Sequence, residues 1–338
     1  MAPVVPNPEA GVDATILNLR KVITDESEPL ARRFRALFSL KHLACLEPHT
    51  ENTLPAIQAI AAAFTSQSAL LKHELAYCLG QTRNPDSVEY LQHVVKDTQE
   101  DAMCRHEAAE ALGALGYDNS LEMLKALRDD ENELDIIRET CDIAVDRILW
   151  ENSEERQAEK LKPSDFTSID PAPPLPLASS QPSIADMEQT LLDTKLPLFQ
   201  RYRAMFALRD LASPPDLPTA VSAIQALAKG LKDPSALFRH EIAFVFGQLC
   251  HPASVPSLTD CLSNQEEAGM VRHEAAEALG SLGDVEGVEE TLKKFVNDPE
   301  QVVRDSIIVA LDMAEYEKNG EIEYALVPDS APAAVPAA

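Results

Sequence analysis

The chain has 338 residues, a formal net charge of −27 at pH 7 and a pI near 4.6. Phosphates would be repelled by such a surface, so a nucleic-acid partner is excluded and a basic ligand or basic protein is favoured. No apolar run reaches membrane-span length, residues 1–11 lack the regions of a secretory signal, and the six cysteines show no CxxC spacing, so a cytoplasmic protein with reduced thiols and no membrane partner is expected.

Taken in order, a loose tail over 1–12 is followed by apolar residues recurring at i, i+3, i+4 and i+7, in segments broken by Pro, Gly, Asn or Asp. This pattern predicts helices at 13–23, 29–43, 53–64, 69–80, 85–95, 101–114, 118–127 and 133–148. Residues 151–183 open with charge and pass into Pro171-Ala172-Pro173-Pro174-Leu175-Pro176, the composition of an acidic, Pro-rich linker. A second series is predicted at 184–193, 198–211, 219–231, 235–248, 252–262, 268–281, 285–295 and 299–315, and 321–338 is a loose Pro/Ala-rich tail. No strand-like alternation is present.

The two series, 13–150 and 184–320, are copies. Arg33-Phe34-Arg35-Ala36-Leu37-Phe38-Ser39-Leu40 matches Arg201-Tyr202-Arg203-Ala204-Met205-Phe206-Ala207-Leu208, and Gly80-Gln81 matches Gly247-Gln248. Within each half a period of about 30 to 35 residues, one helix hairpin per unit, is the mark of an α-solenoid of HEAT type. The expected fold is all-α: eight hairpins in two pseudo-two-fold-related halves.

One motif dominates both halves. Cys104-Arg105-His106-Glu107-Ala108-Ala109-Glu110-Ala111-Leu112-Gly113 returns as Val271-Arg272-His273-Glu274-Ala275-Ala276-Glu277-Ala278-Leu279-Gly280. Thirty-three residues before each stands another pair, His73-Glu74 and His240-Glu241, so half of the eight histidines lie in one lattice. At 100° per residue, each His and Glu falls on the arc opposite the Ala/Leu packing face. On the second helix of a hairpin that arc lines the concave surface, where exposed side chains are expected to face the other half.

Adjacent repeats sit roughly 8–10 Å apart, so two imidazoles and a carboxylate from neighbouring hairpins can meet at one metal with bonds of about 2.0–2.2 Å. A thiolate-free set suits redox-active iron or manganese better than structural zinc. Glu110, Glu277 and Tyr77 are expected behind the ligands, Met103 and Met270 line a pocket or fill the packing, and Arg105 and Arg272 form ion pairs between repeats. A metal-free adaptor for a basic protein and a dinuclear metal hydrolase stay open as alternatives.

The doubled His-Glu lattice on two HEAT-like halves resembles the eukaryotic deoxyhypusine hydroxylase family over roughly residues 13 to 315. The resemblance implies a cytoplasmic, monomeric di-iron monooxygenase that uses O2 to hydroxylate the deoxyhypusine side chain of a translation factor. It also implies His73, His106 and Glu107 at one Fe(II), and His240, His273 and Glu274 at the other. Glu74 and Glu241 lie beside the irons, with Glu74 chosen to meet the substrate amine. No Gly-rich nucleotide cradle is present, so the electrons are expected from an external donor.

Overall fold

The computed structural model describes residues 2–5, 11–176 and 182–319. Its first half contains α1 (Ala14–Thr24), α2 (Leu30–Ala44), α3 (Thr53–Ala62), α4 (Ala69–Gly80), α5 (Val88–Lys96), α6 (Ala102–Leu115), α7 (Leu121–Asp129) and α8 (Asp135–Glu151). After the short α9 (Glu154–Ala158), the second half contains α10 (Ile184–Leu192), α11 (Leu198–Asp210), α12 (Ala220–Lys229), α13 (Ala236–Leu249), α14 (Val255–Ser263), α15 (Gly269–Gly280), α16 (Val288–Lys293) and α17 (Gln301–Asn319). All sixteen predicted helices are present as eight hairpins, and the described residues contain no strand. The inner helices begin where side chains satisfy free backbone donors: Ser68 caps α4 through the Leu71 N–H, Asp101 caps α6 through Met103, and Ser235 caps α13 through Phe238.

A repeated arginine locks several of the hairpins, and in three of them joins the hairpin to the next. The Nε of Arg33, Arg105, Arg201 and Arg272 each donates to the carbonyl ten residues earlier, at the end of the preceding outer helix. Three of these guanidiniums then reach an acid in the next repeat, Arg105 to Glu133, Arg201 to Asp233 and Arg272 to Asp298. These are the inter-repeat ion pairs expected of Arg105 and Arg272. Arg105 and Arg272 each grip their carboxylate with two nitrogens, and this two-point geometry fixes the angle between hairpins as well as holding them.

Small residues bring the inner helices unusually close. A Cβ on Gly80 would lie 2.7 Å from Ala111 Cβ, and one on Gly280 would lie 2.7 Å from Ala310 Cα. Only glycine allows α4 to approach α6, and α15 to approach α17, at that separation.

The halves do not form two open arcs on a flexible joint. The last inner helix of each half packs on the first two inner helices of the other, α17 on α2 and α4, α8 on α11 and α13. Val309 of α17 joins the first apolar core, and its counterpart Ile143 of α8 joins the second. Arg35–Asp312 and Ser68–Asp305 close one seam, and Ser235–Glu139 the other. The linker is likewise corrected: besides α9, residues 166–174 lie against both halves, with Pro171, Ala172 and Pro173 buried. The N-terminal tail is packed in part, since Pro3 is buried and Ala2 and Val5 touch the first core. The tail predicted at 321–338 lies outside the described residues.

Candidate metal centre and substrate cavity

Closure of the halves puts the four lattice histidines in one cluster. His73 comes from α4, His106 from α6, His240 from α13 and His273 from α15, and their side chains are at most 4% exposed. The exposed concave face expected from the helical wheel is therefore buried, because each half covers the other's polar arc. Ring centroids lie 5.6 Å apart for His73–His106 and 5.4 Å for His240–His273 within halves. They are as close across the halves, 5.1 Å for both His73–His273 and His106–His240.

Carboxylates surround this cluster. Glu107 Oε2 is 3.2 Å from His73 Nε2 and 3.8 Å from His106 Nε2, and Glu274 Oε2 is 3.5 Å from His240 Nε2. Glu74 lies 3.4 Å from His73 Nδ1, and Glu277 lies 3.7 Å from His273 Nδ1. Both ring nitrogens of His73, His240 and His273, with His106 Nε2 and Glu241 Oε1, are buried without a hydrogen bond of good geometry. Orphaned polar atoms at this density cost several kcal/mol in a protein interior unless a ligand satisfies them. Imidazole and carboxylate donor atoms within 4.8 Å of one another can hold a metal ion: His73, His106 and His240 form one such group, His240, His273 and Glu274 another, and His106, Glu107 and Glu110 a third.

The protonation equilibria record the same crowding. Burial opposes a charge on His73, but Glu107 and Glu74 outweigh it, and its pKa is raised well above the ordinary imidazole value. Burial, then the neighbouring imidazoles, pushes His106, His240 and His273 well below that value. Burial raises Glu74, and raises Glu110, Glu241 and Glu274 more strongly; it pushes Glu277 up to about 7. A bound cation reverses this balance, since it stabilises carboxylates that otherwise repel one another.

Beside the cluster opens a cavity of about 220 Å³. Its floor carries His73, His240, Glu74, Glu241, Glu107 and Glu274, and its walls include Glu110, Glu277 and an edge-to-face pair, Tyr77 and Phe244, with centroids 6.0 Å apart. Tyr77 is thus a wall residue. Met103 and Met270 are absent from the lining: Met103 is buried in the first apolar core and Met270 packs against it. Their expected pocket role is set aside, since both sit near the starts of α6 and α15 and point into the packing between helices.

Several lining or supporting residues escaped the sequence reading. Thr140 Oγ1 donates to the Ile136 carbonyl and lies 3.4 Å from His106 Nδ1, and Ser306 donates to Glu277. Both occupy the same turn of the last inner helix in their halves, a repeat-wide match of small hydroxyls that could have flagged them. Phe38, Lys41, Ile169 and Pro171 also line the cavity, and nothing in their spacing connects them to the lattice.

Comparison with known proteins agrees with this picture. The HEAT repeat family model matches residues 57–143 and 201–312. The chain is 85% identical to the deoxyhypusine hydroxylase of Aspergillus oryzae over 335 residues, covering 99% of this chain and 98% of that one. It is 82% identical to the Aspergillus niger enzyme over the full length of both. The solved structure of human deoxyhypusine hydroxylase in complex with glycerol superposes with a TM-score of 0.78 at 42% identity, over 89% of this chain and 96% of that one.

Proposed function

Because the chain belongs to the deoxyhypusine hydroxylase family, we propose that its buried His-Glu lattice holds the metal with which it hydroxylates a deoxyhypusine side chain. The reaction class, a monooxygenase step completing hypusine on a protein substrate, and the need for a metal follow from that membership. Neither the metal-free adaptor nor the hydrolase reading survives it. The finer assignment is ours: two Fe(II), one held by His73, His106 and Glu107 and the other by His240, His273 and Glu274, with O2 as co-substrate and a translation factor carrying the substrate arm. The observation that carries it is the convergence of four buried imidazoles, each with at least one ring nitrogen lacking a hydrogen-bond partner, with Glu107 and Glu274 each beside the histidine pair of its own half.

When bound there, the iron pair supplies the oxygen activation that amino-acid side chains lack. The chain's own groups do the rest. Glu74 and Glu241 present carboxylates to the cationic arm, and a charge-assisted hydrogen bond of this kind is among the stronger contacts. Tyr77, Phe244 and Phe34 give the arm's methylenes an apolar wall and keep water from the reacting carbon. Thr140, already donating to the Ile136 carbonyl, accepts from His106 Nδ1–H, which leaves Nε2 unprotonated and turned to the cluster. Reducing equivalents come from an external donor. None of the described helices is long and apolar enough to cross a membrane, and the six cysteines form no disulfide, as suits an enzyme of the cytoplasm.

Metal quantification on the purified protein, paired with an oxygen-dependent assay on deoxyhypusine protein, tests the proposal. About two irons per chain and hydroxylated product are expected; turnover with zinc alone, or without oxygen, would refute it.

A further inference from the structure

The pseudo-two-fold should give the cavity two equivalent entrances, one beside each seam, yet the seams differ. At the first, Phe38 and Lys41 of α2 and Met313 of α17 line the cavity, and all three are only half-buried. Their counterparts at the second are Phe206 and Arg209 of α11 and Arg147 of α8, as the aligned repeats and the matched Gly113–Ala144 and Gly280–Ala310 contacts require. None of these lines the cavity, and Phe206 and Arg209 are 0% exposed.

What covers them is the segment between the halves. The Arg209 guanidinium lies 4.3 Å from the Phe166 ring centroid and donates to Asp170 Oδ2 at 2.8 Å. Arg147 donates to the Asp170 carbonyl. The matched glutamines at the ends of α4 and α13 clamp the same stretch, Gln81 accepting from the Ile169 N–H at 2.7 Å and Gln248 donating to Ser168 at 2.8 Å. Ile169 and Pro171 then become the cavity wall on this side. A single connection between two like halves can fill only one of two like openings, so the linker necessarily breaks the symmetry of the site.

We propose that residues 166–171 are a plug closing one of two pseudo-symmetric entrances, so that the substrate's cationic arm reaches the centre only between α2 and α17, past Phe38, Lys41 and Met313. This rests on the substrate reading above. It also separates two glutamates that the sequence leaves equivalent. Glu74 shares α4 with Tyr77, over whose ring Lys41 of the open side lies at 4.8 Å, whereas Glu241 shares α13 with Gln248, which holds Ser168 of the plug. An arm arriving through the open side passes Glu74 first.

The test uses a short, fluorescently labelled peptide bearing deoxyhypusine, which needs no docking surface, with the metal-loaded full-length enzyme. Met313→Trp should raise both KM and the anisotropy-measured Kd at least tenfold, with bound metal and melting temperature unchanged. Adding Ile169→Gly and Asp170→Gly to that variant should open the second side and restore affinity at least threefold, which a merely structural effect would not do. Unchanged affinity in Met313→Trp, or no recovery in a triple variant that retains its metal, overturns the plug. If the triple variant does not fold, Phe38→Trp decides: a tenfold weaker Kd supports the single entrance and a wild-type Kd refutes it. A wild-type enzyme that binds the peptide without hydroxylating it would refute the substrate reading, while the ratio of affinities would still judge the plug.

Discussion

Gly80→Ala tests whether the spacing of the inner helices sets the metal centre. The added Cβ would stand 2.7 Å from Ala111 Cβ and 2.8 Å from its Cα. Carbon atoms pack at about 3.5–4.0 Å, so α4 and α6 must part by about 1 Å. Overpacking of this kind costs about 1–3 kcal/mol. The helix preference for Ala over Gly returns less than about 1 kcal/mol, because Gly80 ends its helix. The net loss should be about 1–2 kcal/mol, read as a lower denaturant midpoint at unchanged slope. The same displacement separates His73 from His106, which these two helices carry, so metal affinity should fall as well. The pseudo-equivalent Gly247→Ala is the internal control: its Cβ would meet Ala278 at 3.4 Å, an ordinary contact, within a helix interior. That variant should be neutral or more stable by up to about 1 kcal/mol and should keep its metal. Equal behaviour of the two variants in urea melts and metal titrations would refute the argument.

His106→Ala should lose bound metal along with turnover, and full metal content in that variant would remove His106 from the ligand set. Glu74→Gln should retain metal but bind deoxyhypusine protein more weakly by about 2–5 kcal/mol, as for a truncated charge pair in a desolvated site; metal loss with normal substrate affinity would reverse the roles assigned to Glu74 and the ligands. The bidentate Arg105 guanidinium holds the Glu133 carboxyl below its ordinary range, so its contribution to stability is complete above the unfolded value of about 4.3 and disappears as pH falls through the lower folded value. Glu133→Gln should therefore be less stable than the parent at pH 7, with the gap closing below about pH 4 in acid melts; a gap that persists there would show that the ion pair is not its source.

Helices, hairpins and the His-Glu lattice were legible because each depends on local periodicity or on repetition, and a duplicated chain displays both. The inter-repeat role of Arg105 and Arg272 was legible for the same reason, since each faces the packing side of its own helix. The wheel also placed His73, His106, His240 and His273 together on the polar side, but the exposure expected for that side was wrong. Burial of that face is a property of two surfaces, and only the packing of α17 on α2 and of α8 on α11 brings the second one. Composition marked 151–183 as a linker because Pro and charge disfavour helices. It was silent on contacts made by Asp170 with Arg209 or Ile169 with Gln81, which lie 39 and 88 residues apart. The His-Glu pairs and their doubling were thus determined by sequence, whereas the depth of the site, its aromatic wall and its asymmetry were decided by tertiary structure. Near-identical halves carry near-identical local information, and what distinguishes them is a single connecting segment whose position depends on long-range packing.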